Sequence, residues 1–139
     1  MLLHIVARGR IGRGAEAELV DRYLKRVSWP VKVTELSDSA ATPPPAPGAV
    51  TVLLDETGEQ ASSRQIAARL ERWRDDGRRE TRFLLGAADG HGAATRADAD
   101  WSIAFGRATW PHLLARAMLA EQLWRATSIL AGHPYHREG

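Results

Sequence analysis

The sequence contains no cysteine, which excludes disulfides, thiolate zinc sites and cysteine nucleophiles together. It has no apolar run approaching the length needed to cross a bilayer. The apolar opening, Met1-Leu2-Leu3-His4-Ile5-Val6-Ala7, has no basic segment before it and no long hydrophobic region, so it reads as a first strand rather than a signal peptide. These absences fit a cytoplasmic protein. Lysine is scarce: nearly all of the 19 basic residues are arginine, set against 17 Asp and Glu for a formal net charge of +2. That charge is too small to imply nucleic acid by itself. The planar fork of arginine suits phosphates and base edges, although a GC-rich coding genome produces the same bias. What is present is a globular balance, 44% hydrophobic and 26% charged over 139 residues, enough for one domain (residues 1–139) around one core.

Residues 2–7 read as a buried strand. A loop, Arg8-Gly9-Arg10-Ile11-Gly12-Arg13-Gly14, leads into a helix over residues 15–27, where Leu19, Val20, Tyr23, Leu24 and Val27 form one apolar stripe. Trp29-Pro30 ends it. Residues 31–36 form a second strand. Residues 37–48 carry Pro43, Pro44, Pro45 and Pro47, which allow neither helix nor inner strand and predict a surface loop. A third strand over residues 50–55 ends at Glu56-Thr57-Gly58. Ser62 or Ser63 then caps a helix to about residue 76, with Ile66, Leu70 and Trp73 on its buried face and Gly77 as its stop. A fourth strand, residues 81–85, enters Gly86-Ala87-Ala88-Asp89-Gly90-His91-Gly92. A short polar helix over residues 95–100, a fifth strand over 101–104 and a loop over 105–110 follow. The last helix has Pro111 in its first turn and runs to about Ala131, with Gly132 as its stop.

Strands alternating with helices predict an α/β fold, a mostly parallel sheet with helices on both faces. Ligands of such sheets bind outside the carboxyl ends of the strands. The loops after Asp55, Leu85 and Ala104 are therefore where a site belongs. The last helix is apolar on nearly every side, through Leu113, Leu114, Ala117, Met118, Leu119, Leu123, Trp124, Ile129 and Leu130. Packing on a sheet needs only one stripe, so the excess predicts a homodimer; a central helix in a compact monomer is the alternative. Glu121 and Arg125 are spaced to pair along that helix, unless Arg125 faces the ligand cleft.

The stretch Thr109-Trp110-Pro111-His112-Leu113-Leu114-Ala115-Arg116, then Ala120-Glu121-Gln122-Leu123-Trp124-Arg125-Ala126, then His133-Pro134-Tyr135-His136-Arg137-Glu138, resembles the RlmH family. Leu53-Leu54-Asp55 and Leu70-Glu71-Arg72-Trp73 add to the likeness. These are bacterial SPOUT-class enzymes that methylate N3 of a pseudouridine in large-subunit (23S) ribosomal RNA. The resemblance implies a C-terminal trefoil knot, a feature no sequence pattern reveals, and S-adenosyl-L-methionine as cofactor. It implies that the cofactor is held by Leu54, by Gly86, and by Phe105, Gly106, Arg107, Ala108, Thr109 and Trp110. A glycine at position 86 lets backbone approach a ligand closely, and Leu54 and Trp110 supply apolar wall. Ordinary turn chemistry is the alternative for Gly86 and Gly90. The chain departs from the family's usual Gly-Gly-x-x-Gly at Ala87, and it has the proline-rich segment 37–48 where the family often has a helix.

The implied chemistry assigns catalytic roles to the tail. His136 would take the proton from the ring nitrogen, since neutral imidazole titrates near working pH. Tyr135 would stack on the base or orient it, and Arg137 would stabilise charge on its carbonyl oxygens. The sulfonium itself supplies the electrophile, so no metal is required. His133 and His136, three apart, lack the further ligands a metal site needs. His112 reads as a cap, as a buried hydrogen-bonding group or as a neighbour of the cofactor, and His4 and His91 read as structural or solvent-facing. Two other functions compete. Gly9, Gly12 and Gly14 between strand and helix, with Glu35 ending the second strand, suggest a dinucleotide-binding module. The glycine order is wrong for that fingerprint, and Arg8, Arg10 and Arg13 suit RNA phosphates as well. The other competitor is a non-catalytic RNA-binding ribosome-assembly factor of the same fold.

Overall fold

The computed structural model describes residues 1–86 and 92–132. Alternation along the strands decides its two faces. Leu3, Ile5 and Ala7 of β1 (Leu2–Arg8), Val50 and Val52 of β3 (Ala49–Gln60), Phe83 and Leu85 of β4 (Glu80–Leu85), and Trp101 and Ile103 of β5 (Trp101–Ala104) enter the main core. Their neighbours Val6, Leu53 and Leu84 form a smaller cluster on the opposite face. With β2 (Val31–Leu36), these strands make one sheet in the order β2-β1-β4-β3-β5, every pair parallel.

Three helices cover the main face. The helix α2 (Ser63–Asp75) contributes Ile66, Ala67, Leu70 and Trp73, and α4 (His112–Leu130) contributes Leu119, Leu123 and Ala126. The helix α1 (Ala15–Leu24) adds Leu24 to that core and packs Val20 on Ala117 and Ala120 of α4. Ser62 and Gln65 form a reciprocal capping box that fixes the start of α2. Gly132, at φ +72, follows the C-cap Ala131 as the expected left-handed stop of α4.

The layering on the two faces is unequal. The second face takes Ala99, just after the short α3 (Ala93–Asp98), and the proline-rich segment 37–48, which returns the chain from β2 to β3. A parallel crossover usually needs a helix to satisfy its backbone; here arginines do so. Arg8 donates to the carbonyls of Ser37 and Ala40 and to the Thr42 hydroxyl. Arg82 bonds the Pro43 carbonyl and Thr51 Oγ1, and Arg78 bonds the carbonyls of Gly48 and Ala49. Burial lowers the pKa of the Arg82 guanidinium, opposed by the charge of Glu80.

Strands β2 and β5 match the sequence reading to the residue, and three elements differ from it by more than one residue. The first helix ends at Leu24 because Arg26 and Val27 bond back to Tyr23 and Leu24, closing a tighter turn before Pro30. Val27 still packs on the core. The third strand does not end at residue 55. It bulges after Leu54 and pairs with β5 a second time, Glu59 with Ile103 and Gln60 with Ala104. Gly58 permits this approach: a Cβ there would meet the backbone of Ser102 and Ile103 at 2.7 Å. The short helix starts at Ala93, behind Gly92, and not at residue 95.

Candidate functional site

All strands being parallel, their carboxyl ends share one edge of the sheet. There, the ends of β3, β4 and β5 and the first turn of α4 enclose a cleft of about 580 Å3. Leu54, Leu85, Ile103, Phe105 and Trp110 give it apolar walls. The loop after β5 is held closed by the Trp110 indole, whose Nε1–H donates to the Phe105 carbonyl at 2.9 Å, and Gly106 takes φ +98 within it. Trp110 stays 42% exposed, an aromatic lip at the mouth.

Polar groups at the rim are arranged by the bulge in β3. Asp55 Oδ1 accepts from both the backbone N–H and the hydroxyl of Thr57, at 3.0 and 2.9 Å, an Asx-type turn that starts the bulge. Asp55 Oδ2 pairs with Arg96 of α3 at 2.9 Å, which ties that helix to the cleft. Glu56 accepts from the Thr109 hydroxyl at 2.5 Å, joining the β3 end to the loop after β5. His112 and Ala115 close the floor on the α4 side.

Of the residues expected at a cofactor site, Leu54, Gly86, Phe105, Gly106, Ala108, Thr109 and Trp110 all line this cleft. Arg107 is exposed and is not among the lining residues. His112, for which sequence left a cap, a buried bond or a neighbouring role open, lines it as an exposed residue. The catalytic set His136, Tyr135 and Arg137 lies outside the described residues, as do His133, Ala87, Gly90 and His91. Glu56 and Arg96 were not anticipated; their partners are set by strand register and helix placement, which local sequence does not carry. Arg125 pairs with Glu121 instead of facing the cleft. His4 is structural, bonded to Glu80 at 3.0 Å and Thr34 at 2.7 Å.

The glycine loop after β1 is built differently from a dinucleotide site. Glu35, the candidate ribose acid, pairs with Arg116 of α4 at 2.5 Å and accepts from the Ile11 N–H at 2.8 Å. The hydrogen bond from Arg116 holds its carboxyl below the usual 4.5, against a smaller opposing effect of burial. Arg8 is folded under the proline-rich segment and is not presented to a ligand.

The donor set of the cleft suits a ligand with a flat apolar ring system and cationic groups. The lining is largely apolar, and the exposed carboxylate at its rim is Glu56, since Asp55 is paired with Arg96. S-adenosyl-L-methionine, with its adenine, sulfonium and ammonium, fits that description. Among the described residues there is no cluster of three or more metal-ligating side chains, and no helix is long and apolar enough to cross a membrane.

Comparison with known proteins places the chain among methyltransferases. A family profile described as "Predicted SPOUT methyltransferase" matches residues 1–136. The chain is 72% identical over 140 residues to the ribosomal RNA large subunit methyltransferase H of Rhizorhabdus wittichii, covering 100% of both chains. It is 69% identical over 141 residues to the protein of the same name from Novosphingobium aromaticivorans, again covering 100% of both. Among solved structures, a probable methyltransferase from Bordetella pertussis Tohama I superposes with a TM-score of 0.58 at 12% identity, over 91% of this chain and 93% of that one, a likeness of fold alone.

Proposed function

The chain belongs to the SPOUT methyltransferase family, and from that premise we propose that it transfers a methyl group from S-adenosyl-L-methionine to N3 of a pseudouridine in large-subunit (23S) ribosomal RNA. The observation that carries the reading is the convergence of Leu54, Gly86, Phe105, Gly106, Ala108, Thr109 and Trp110 on one cleft at the carboxyl edge of the sheet. The substrate class follows from relatives that are ribosomal RNA large subunit methyltransferases by name.

Leu54, Leu85, Ile103 and Trp110 would bury the adenosyl part, and the backbone of residues 105–110 would bond its adenine edge. Glu56 would favour its cationic groups. When bound, the cofactor supplies an electrophilic methyl on a sulfonium, so this chemistry requires no metal. The protein must align the methyl with the nucleophile and remove a proton from the ring nitrogen. His136 takes that proton, Tyr135 stacks on the base and Arg137 balances charge on its carbonyl oxygens. The protein works as a cytoplasmic homodimer with a knotted C-terminal half, the tail of one subunit completing the site of the other. The half-buried Leu113, Leu114 and Met118 on α4 support such a partner. Sedimentation equilibrium tests the dimer; a monomer at all concentrations overturns it.

Calorimetric titration with S-adenosyl-L-methionine, with NADH as control, tests the cofactor. Binding of the first alone is expected; binding of NADH alone overturns the reading. A methyl-transfer assay on ribosomes lacking the modification then tests the reaction. His136→Ala is expected to slow transfer while leaving cofactor affinity almost unchanged. Equal loss of both would make His136 structural.

A further inference from the structure

The cleft explains how one nucleoside and a cofactor are held, but not how an RNA strand is kept across its mouth. Resting on the ribosomal RNA reading, we propose that two arginine banks flank the cleft and grip the phosphodiester backbone: Arg10 and Arg13 on the loop after β1, and Arg107 on the loop after β5.

Topology places the banks. The order β1-β4-β3-β5 puts β1 and β5 on either side of the two strands between them, and parallel pairing sends all four carboxyl ends to the cleft edge. Ala7 pairs with Leu85, so the loop after β1 starts beside Gly86 of the cleft. The strands that carry the two banks, β1 and β5, stand three strand spacings apart, about 14 Å. A small anion cannot bridge that distance, and a strand with a phosphate at every nucleotide does.

Arg10, Arg13 and Arg107 are exposed, and none makes an ion pair or side-chain hydrogen bond among the described residues, although Arg10 lies near enough to Glu35 for its charge to help lower that carboxyl's pKa. Other arginines are engaged within the fold, among them Arg8, Arg82, Arg96 and Arg116. Two acids of the same edge are paired with cations, Glu35 with Arg116 and Asp55 with Arg96, whereas Glu56 is bonded to the neutral Thr109 hydroxyl. Glu16 and Glu18, in the first turn of α1, bound the first bank on its far side.

The first bank is also held in place. Gly9 and Gly12 adopt φ +80 and +74, turning the chain on either side of Arg10 and Ile11. The Gly9 N–H donates to the Leu36 carbonyl at 2.7 Å, and Arg116 Nη2 donates to the Gly9 carbonyl at 3.0 Å. Ile11 packs on the cluster of Val20, Ala117 and Ala120. Arg116 sits one turn beyond His112, which lines the cleft. A loop fixed from beneath loses little freedom on binding, which favours its two cations as a preset phosphate site.

The test is binding to large ribosomal subunits over a series of salt concentrations. It uses the wild-type chain, Arg10→Gln/Arg13→Gln and Arg107→Gln, with methyl transfer measured on the same subunits. Each variant is expected to bind several-fold more weakly, with a log–log salt slope shallower by about one for each arginine removed. Lysine at the same positions is expected to restore the slope. The Arg10→Gln/Arg13→Gln protein is expected to keep its S-adenosyl-L-methionine affinity and melting temperature. Wild-type slopes in either variant, in a protein that methylates subunits, overturn the two-banked grip and leave the enzyme reading standing. A wild-type chain that neither binds nor methylates subunits overturns both.

Discussion

Arg116 has only 2% of its side chain exposed, while its partner Glu35 keeps 34%. The desolvation cost of the pair therefore falls on the guanidinium, which recovers it from Glu35 and from the carbonyls of Arg8 and Gly9. Its Nε is the only buried side-chain nitrogen or oxygen without a partner among the described residues. Replacing Glu35 by Gln should leave that cation less compensated and lower stability by about 1–2 kcal/mol in urea unfolding, discounted because Glu35 is partly in water. The pH dependence has a defined sign. The Glu35 carboxyl is lowered from 4.5 on folding, so its contribution is present above the unfolded value and lost as pH falls through the folded one. The gap between wild type and Glu35→Gln should be full at neutral pH and shrink below about pH 4.5. A gap independent of pH would mean that the charge of Glu35 does not supply the stabilisation.

At the scale of elements, the sequence is legible where local signals coincide with the final contacts. The prolines at 43–45 and 47 exclude regular structure whatever lies around them, and the apolar spacing of Ile66, Leu70 and Trp73 reveals the buried face of α2. Glu56-Thr57-Gly58 misleads because its turn-like composition serves a long-range purpose, the second approach of β3 to β5. Gly58→Ala should force the backbone at Ile103 to move, costing about 2 kcal/mol by overpacking. Because Ile103 lines the cleft, cofactor affinity should fall with it, measured by melting and by titration. Ser62→Ala is the contrasting case. It removes one half of a capping box whose residues do not line the cleft, and should cost about 1 kcal/mol with no change in cofactor binding. The edge of the candidate site was legible in the strand–helix alternation, which places it at the loops after Asp55, Leu85 and Ala104, and its individual residues only through the resemblance to the RlmH family. The Asp55–Arg96 and Glu56–Thr109 contacts were not, since each joins residues whose proximity only the assembled sheet creates.

For the whole molecule, the position of α4 has a consequence in time. This last helix inserts Leu119, Leu123 and Ala126 into the main core and packs against both α1 and α2. No earlier part of the chain can close that core alone. A chain ending at residue 110 should therefore show little protection in hydrogen exchange, and a cooperative melt from it would refute this dependence. Synthesis at about 5–20 residues per second separates the first strand from the last helix by about 5–20 s. Throughout that interval the apolar faces of β1, β3 and β4 await the cover that α4 brings.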